Sequence, residues 1–130
     1  LYRNKANNVI KLSRILVEEY DGEVPNSRAA LQSLPGVGRK TANVVLNMWW
    51  RHPAQAVDTH IFRVGNRTKI APGKTVEDVE RAVEDHIPAD FQLDAHHWMI
   101  LHGRYHCKAR KPLCATCLIR DLCAYEDKAL

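Results

Sequence analysis

Four cysteines, one lysine and one aspartate are the residues of this 130-residue chain whose types and spacing can do chemistry. Cys107, Cys114, Cys117 and Cys123 follow the pattern C-x6-C-x2-C-x5-C, and no other cysteine occurs. Four thiols confined to one short stretch point to a single four-thiolate site. Zinc sites usually show two short C-x2–4-C pairs or Cys/His mixtures. This run has one short pair and two longer steps, which let a loop wrap a larger group such as a [4Fe-4S] cluster. The spacing therefore ranks a cluster ahead of zinc, and zinc ahead of disulfides, which suit an oxidising compartment. His96, His97, His102 and His106 precede the first cysteine. Four thiolates already complete a site, so these histidines are read as packing or surface residues.

Lys40 stands two residues after the turn Leu34-Pro35-Gly36-Val37-Gly38. Glycines open backbone conformations closed to other residues and leave a turn free of side chains. Backbone N–H groups at the start of the following helix can then meet an anion such as a phosphate. Such a contact positions a protein on DNA without reading its sequence. A plain helix–helix connection would also use glycine here. The positive end of the helix dipole lowers the proton affinity of an amine at the Lys40 position, as a nucleophile requires. A solvated lysine meeting phosphate as a point charge is the simpler alternative. Asp58 is open to two readings in the same way. It is a good N-cap for the next helix, and it is also a carboxylate that can handle protons or stabilise developing positive charge.

The elements that must carry these residues are helices. Residues 4 to 20 show 3.6-residue periodicity, with Val9, Leu12, Leu16 and Tyr20 near one face and Lys5, Lys11 and Arg14 away from it. Asp21-Gly22 stops that helix. Asn26 or Ser27 can cap a short helix through Ser33, and a helix over about 39 to 50 follows the glycine turn, with Ala42, Val45, Leu46 and Trp49 as its stripe. Asp58 or Thr59 opens a helix to about Lys69. Thr75 caps another through His86, and residues 91 to 106 form the next, with Ala95, Trp98, Met99 and His102 on one side. One short helical turn is expected at 118 to 122. No segment sustains period-2 alternation, so the class is all-α with a loop-rich C-terminal knot.

Composition agrees with a folded domain. Apolar residues make up 45% and charged residues 26%, and no window approaches a membrane span. The net charge is +4, but residues 74 to 94 hold seven acids against two bases. The remainder is therefore clearly basic, as a chain seeking a polyanion would be. Lys108, Arg110 and Lys111, with Arg104 just before, would give the cysteine loop a basic surface for a phosphate backbone. The chain opens at Leu1 without Met, which reads as a fragment or processed product.

Three motifs in order now carry a resemblance. Leu34-Pro35-Gly36-Val37-Gly38-Arg39-Lys40-Thr41-Ala42 resembles the helix-hairpin-helix of the endonuclease III family of DNA glycosylases and abasic-site lyases. Val57-Asp58-Thr59-His60-Ile61-Phe62-Arg63-Val64 resembles its aspartate motif, and the cysteine run its iron–sulfur loop. His97-Trp98, Leu101-His102-Gly103-Arg104 and Arg110-Lys111-Pro112 are similar to the same family. The resemblance spans the whole chain but about the last two-thirds of a family member.

It implies an all-α fold, a partial six-helix bundle plus a small [4Fe-4S] domain. Bundle helices would occupy 1 to about 50 with the hairpin at 28–50. The aspartate-motif loop and helix would occupy 51 to about 70, and the remaining helices and cluster domain about 71 to 130. By resemblance Lys40 is the Schiff-base nucleophile, Asp58 the catalytic carboxylate, and Cys107, Cys114, Cys117 and Cys123 the cluster ligands. Leu34, Gly36, Val37, Gly38, Arg39, His60, Arg110, Lys111 and Leu1 would approach DNA. The implied activity is removal of oxidised pyrimidines and cleavage at abasic sites in double-stranded DNA. The protein would be intracellular, DNA-associated and monomeric when full-length, with the missing N-terminal helices supplied by the parent chain. The mismatch-glycosylase branch lacks a lysine at the Lys40 position and differs around Asp58-Thr59-His60. A non-catalytic DNA-binding fragment is the alternative from another class.

Overall fold

The computed structural model describes all 130 residues, and every regular element is helical. The helices are α1 (Tyr2–Glu19), α2 (Arg28–Gln32), α3 (Arg39–Met48), α4 (Thr59–Thr68), α5 (Val76–His86) and α6 (Ala89–Tyr105). A single 3₁₀ turn, Cys114–Thr116, lies in the cysteine loop. The chain forms two compact units, Leu1–Ala54 and Gln55–Leu130.

In the first unit, Leu31, Leu34, Ala42, Leu46 and Ala54 form the core. Leu12, Ile15, Leu16 and Tyr20 of the α1 segment pack against it. Val9, expected on that face, is instead exposed, and Ile15 takes its place because the buried stripe lies one step further round the helix. Ser27 caps α2 by accepting the Ala30 N–H. The helix after the hairpin ends at Met48, two residues early. Trp50 N–H reaches back to the Val45 carbonyl and Arg51 takes a left-handed backbone conformation (φ 57°). That turn leaves Trp49 exposed and brings Trp50 onto the core, where its indole N–H donates to the Pro25 carbonyl at 3.1 Å.

The second unit is built on Val57, Ile61, Val64, Ala71, Val79, Val83 and Met99. Thr75 caps α5 by accepting the Asp78 N–H. The Gln92 side-chain amide donates to the Val83, Glu84 and Ile87 carbonyls at the end of α5, and its backbone carbonyl accepts the Gln55 amide at 2.7 Å. A buried amide is tolerated there because the orphan carbonyls of a helix end give it partners. Helices α4 and α6 cross closely at Gly103. A Cβ at that position would stand 3.0 Å from the His60 Cβ and 3.2 Å from the His60 carbonyl oxygen. Trp98, expected on the buried side of α6, is exposed, while Ala95 and Met99 are buried. No helix is long and apolar enough to cross a membrane.

Candidate DNA-repair site and iron–sulfur segment

The glycine turn joins α2 to α3 through 33–38. Val37 N–H donates to the Leu34 carbonyl, closing the turn. Gly36 sits at φ 80°, a region costly for residues with a Cβ, and a Cβ there would also press on Asn8 at 3.0 Å. Gly38 is the N-cap of α3 and supplies no capping side chain, so the helix start presents backbone rather than side-chain oxygen. Leu34 is buried, so what its side chain gives the turn is anchorage in the core. Gly36, Gly38, Arg39 and Lys40 are exposed and Val37 is half-buried. Lys40 occupies the second position of α3 and is exposed. Leu1 is the N-cap of α1 and is exposed.

Asp58 is the N-cap of α4, and its two carboxylate oxygens have separate partners. Oδ1 accepts the His60 and Ile61 backbone N–H groups at 2.9 and 3.0 Å. Oδ2 lies 3.0 Å from His60 Nδ1. The Asp58 side chain retains 13% of its exposure and that of His60 26%. These contacts fix the carboxylate and set Oδ2 beside the His60 imidazole.

The cysteine loop is fastened to α4 by two arginines one helical turn apart, which the sequence reading did not single out. Arg63 donates to the Cys107 carbonyl from Nε at 2.9 Å and to the Gly103 carbonyl from Nη2 at 2.6 Å. Arg67 donates to the Lys108 carbonyl at 2.7 Å and the Ala109 carbonyl at 3.1 Å, and its Nη1 approaches Cys107 Sγ at 3.5 Å. Its guanidinium also lies over the Tyr125 ring, 4.7 Å from the centroid. The only local signal was the i, i+4 pair of arginines, because every acceptor lies about 40 residues further along the chain. Arg104, Lys108, Arg110 and Lys111 are all exposed, and Lys111 adopts a left-handed backbone (φ 51°). The expected helical turn at 118 to 122 is a run of hydrogen-bonded turns instead, since Cys117 and Arg120 carbonyls accept from residues three along.

Cys107, Cys114, Cys117 and Cys123 are free, half-buried thiols that line one recess. Pro112, Leu113 and Ile119 give it an apolar wall, and His102 and His106 also face it. His102 Nε2 lies 4.0 Å from Cys117 Sγ. Burial, and secondarily the neighbouring His106 imidazole, hold the His102 pKa below its ordinary value. The two rings stack with centroids 5.5 Å apart. The donor set, the apolar wall and a buried His106 Nε2 without a hydrogen-bond partner all suit an iron–sulfur cluster.

Comparison with known proteins defines the class first. Residues 19–47 match the helix-hairpin-helix motif, and residues 107–123 match the iron–sulfur binding domain of endonuclease III. The chain is therefore a helix-hairpin-helix protein with an iron–sulfur segment, whose cofactor is a [4Fe-4S] cluster. It is 62% identical to endonuclease III of Escherichia coli K12 over 128 residues, which is 98% of this chain and 61% of that protein. It is 54% identical to endonuclease III of Rickettsia conorii over 125 residues, 96% of this chain and 60% of the relative. A trapped covalent intermediate of endonuclease III with DNA superposes with a TM-score of 0.85 at 48% identity, covering 94% of this chain and 58% of that one. A thermostable thymine-DNA glycosylase superposes at 0.76 and 29% identity, covering 92% and 57%. The resemblance to the endonuclease III family is thus shown along nearly the whole chain, and the fold is the helix-hairpin-helix fold of that family. The chain spans about three-fifths of the length of the relatives it matches.

Proposed function

We propose that this chain is the later part of a base-excision-repair DNA glycosylase with abasic-site lyase activity on oxidised pyrimidines. The observation that carries this reading is Lys40, exposed on the first turn of α3 immediately behind a side-chain-free hairpin. An amine placed there can reach a sugar whose phosphates rest on the same helix start. Support comes also from the 48%-identical relative trapped covalently with DNA.

The damaged nucleotide is turned out of the duplex, at a cost of a few kcal/mol in lost stacking and pairing. The Lys40 amine attacks C1′ and the damaged base departs with the C1′–N bond electrons. Ring opening gives a Schiff base between Nζ and C1′. Loss of a C2′ proton then breaks the C3′–O bond and cuts the strand on the 3′ side. Asp58 stabilises positive charge on the sugar and relays protons, with His60 holding Oδ2. Gly36, Val37, Gly38 and Arg39 bind phosphate at the hairpin, while Leu34 anchors it. Arg110 and Lys111 bind the backbone from the cysteine loop, and His60 and Leu1 come close to the DNA. Cys107, Cys114, Cys117 and Cys123 hold the [4Fe-4S] cluster, which keeps the basic loop in shape. The family's partition, with bundle helices to about 50 and cluster domain from about 71, is part of the same proposal.

The test is incubation of the protein, extended at its N-terminus to the length of its relatives, with a duplex containing one oxidised pyrimidine. A product ending in a 3′ unsaturated aldehyde, with free base released, is the expected result. Release of base with an intact strand would instead assign it to a monofunctional branch. Tight binding with neither product would make it a DNA-binding module.

A further inference from the structure

His106 carries a nitrogen with no assigned work. Its Nε2 is shut off from solvent and has no hydrogen-bond partner, although the imidazole faces the recess lined by Cys107, Cys114, Cys117 and Cys123. A buried donor left unpaired is destabilising, so native structures rarely keep one unless a group absent from the polypeptide satisfies it. The ring is not free to turn away. It stacks on His102 at 5.5 Å with planes 22° apart, and its own backbone is pinned by three bonds: His106 N–H to the His102 carbonyl, and Lys108 and Leu113 N–H to the His106 carbonyl. His102 meanwhile holds Nε2 4.0 Å from Cys117 Sγ, and both imidazoles line the same recess.

We infer that His106 is a positioning residue for the iron–sulfur cluster, its Nε2–H donating a hydrogen bond to a cluster sulfur, and that this bond raises the reduction potential. The inference rests on the iron–sulfur reading of residues 107–123. A hydrogen bond to sulfur withdraws electron density and stabilises the extra negative charge of the reduced state. Loss of the donor therefore lowers the potential without removing a ligand. His106 lies directly before Cys107 in sequence, so the donor and the first thiolate move as one piece of chain.

The experiment is direct voltammetry on anaerobically purified protein, with iron and sulfide counted beforehand. His106→Phe keeps a ring for stacking and removes the donor, whereas His106→Gln keeps an N–H. With a full complement of iron and sulfide, the Phe variant should shift to a more negative potential and the Gln variant should recover part of the shift. Equal potentials in wild type and His106→Phe, with full clusters, would overturn the inference while leaving the cluster itself intact. If His106→Phe fails to assemble a cluster, pulsed EPR of wild type labelled with [15N]histidine decides. A weak imidazole coupling to the paramagnetic cluster that disappears in labelled His106→Gln supports the assignment. No coupling, or one unchanged in that variant, refutes it. A wild-type protein that binds no iron under any reconstitution would sink the iron–sulfur reading itself.

Discussion

Replacing Asp58 separates two jobs that its geometry gives to one side chain. As a cap, Oδ1 accepts two N–H groups at the start of α4. As a carboxylate, it carries charge and shares Oδ2 with His60. Asp58→Ala removes both, and losing a cap of this quality costs about 1–2 kcal/mol. For a unit of this size, each kcal/mol moves Tm by about 4–8 °C, so a drop of roughly 4–16 °C is expected. Asp58→Asn keeps the Oδ1 acceptor and loses only charge, and Asn caps a helix about as well as Asp. The exchange of the His60 contact for a neutral one adds a cost of under about 1 kcal/mol. The Asn variant should therefore melt within about 8 °C of wild type. Its abasic-site cleavage should nevertheless slow by about two to four orders of magnitude, the range for losing acid–base help or a charge-stabilising group. Differential scanning calorimetry and single-turnover cleavage read the two effects separately. Full cleavage by Asp58→Asn would reduce Asp58 to a cap. An Asn variant as unstable as the Ala variant would mean that the capping geometry is not what holds α4.

Other residues give sharper single outcomes. Arg67→Ala removes two bonds from a charged donor to the Lys108 and Ala109 carbonyls, at about 1.5–3 kcal/mol for such a donor, and should open residues 108–111 to limited proteolysis while Arg67→Lys restores little. Unchanged cleavage at that loop would remove Arg67 as its fastening. Replacing Arg110 and Lys111 together by Ala should lower the slope of log K against log salt by about two, without altering lesion preference, as filter binding at several salt concentrations would record. Gly36→Ala should lose about 1–3 kcal/mol in urea unfolding, since it combines positive φ with pressure on Asn8. A neutral result there would mean the turn can flip.

Much of the fold was legible because caps are local. Ser27, Asp58 and Thr75 each accept a backbone N–H two or three residues along, so residue type and position alone predict them. The buried face of α1 and the fate of the tryptophans were less legible. Periodicity places Trp49 on the stripe of α3, but the left-handed Arg51 ends the helix early and exchanges Trp49 for Trp50. Trp98 matches the period of α6 and still stays in solvent beside Phe91, which periodicity cannot distinguish from core. Within the candidate site, the thiol cluster could be read from spacing, because four ligands within one loop must meet. Arg63, Arg67 and the His102–His106 stack could not be ranked that way. Their worth depends on carbonyls and thiols that only tertiary packing brings to them.

The measurement that bears most directly on the account is borohydride trapping on abasic-site DNA, with the protein extended at its N-terminus to the length of its relatives. Reduction of a Schiff base should leave a covalent protein–DNA adduct, and peptide mapping should place it on Lys40. Lys40→Gln should abolish the adduct yet keep DNA affinity, because the backbone of the Gly36–Gly38 turn is untouched. An adduct that persists undiminished in Lys40→Gln, or maps to another residue, would contradict the assignment of the nucleophile.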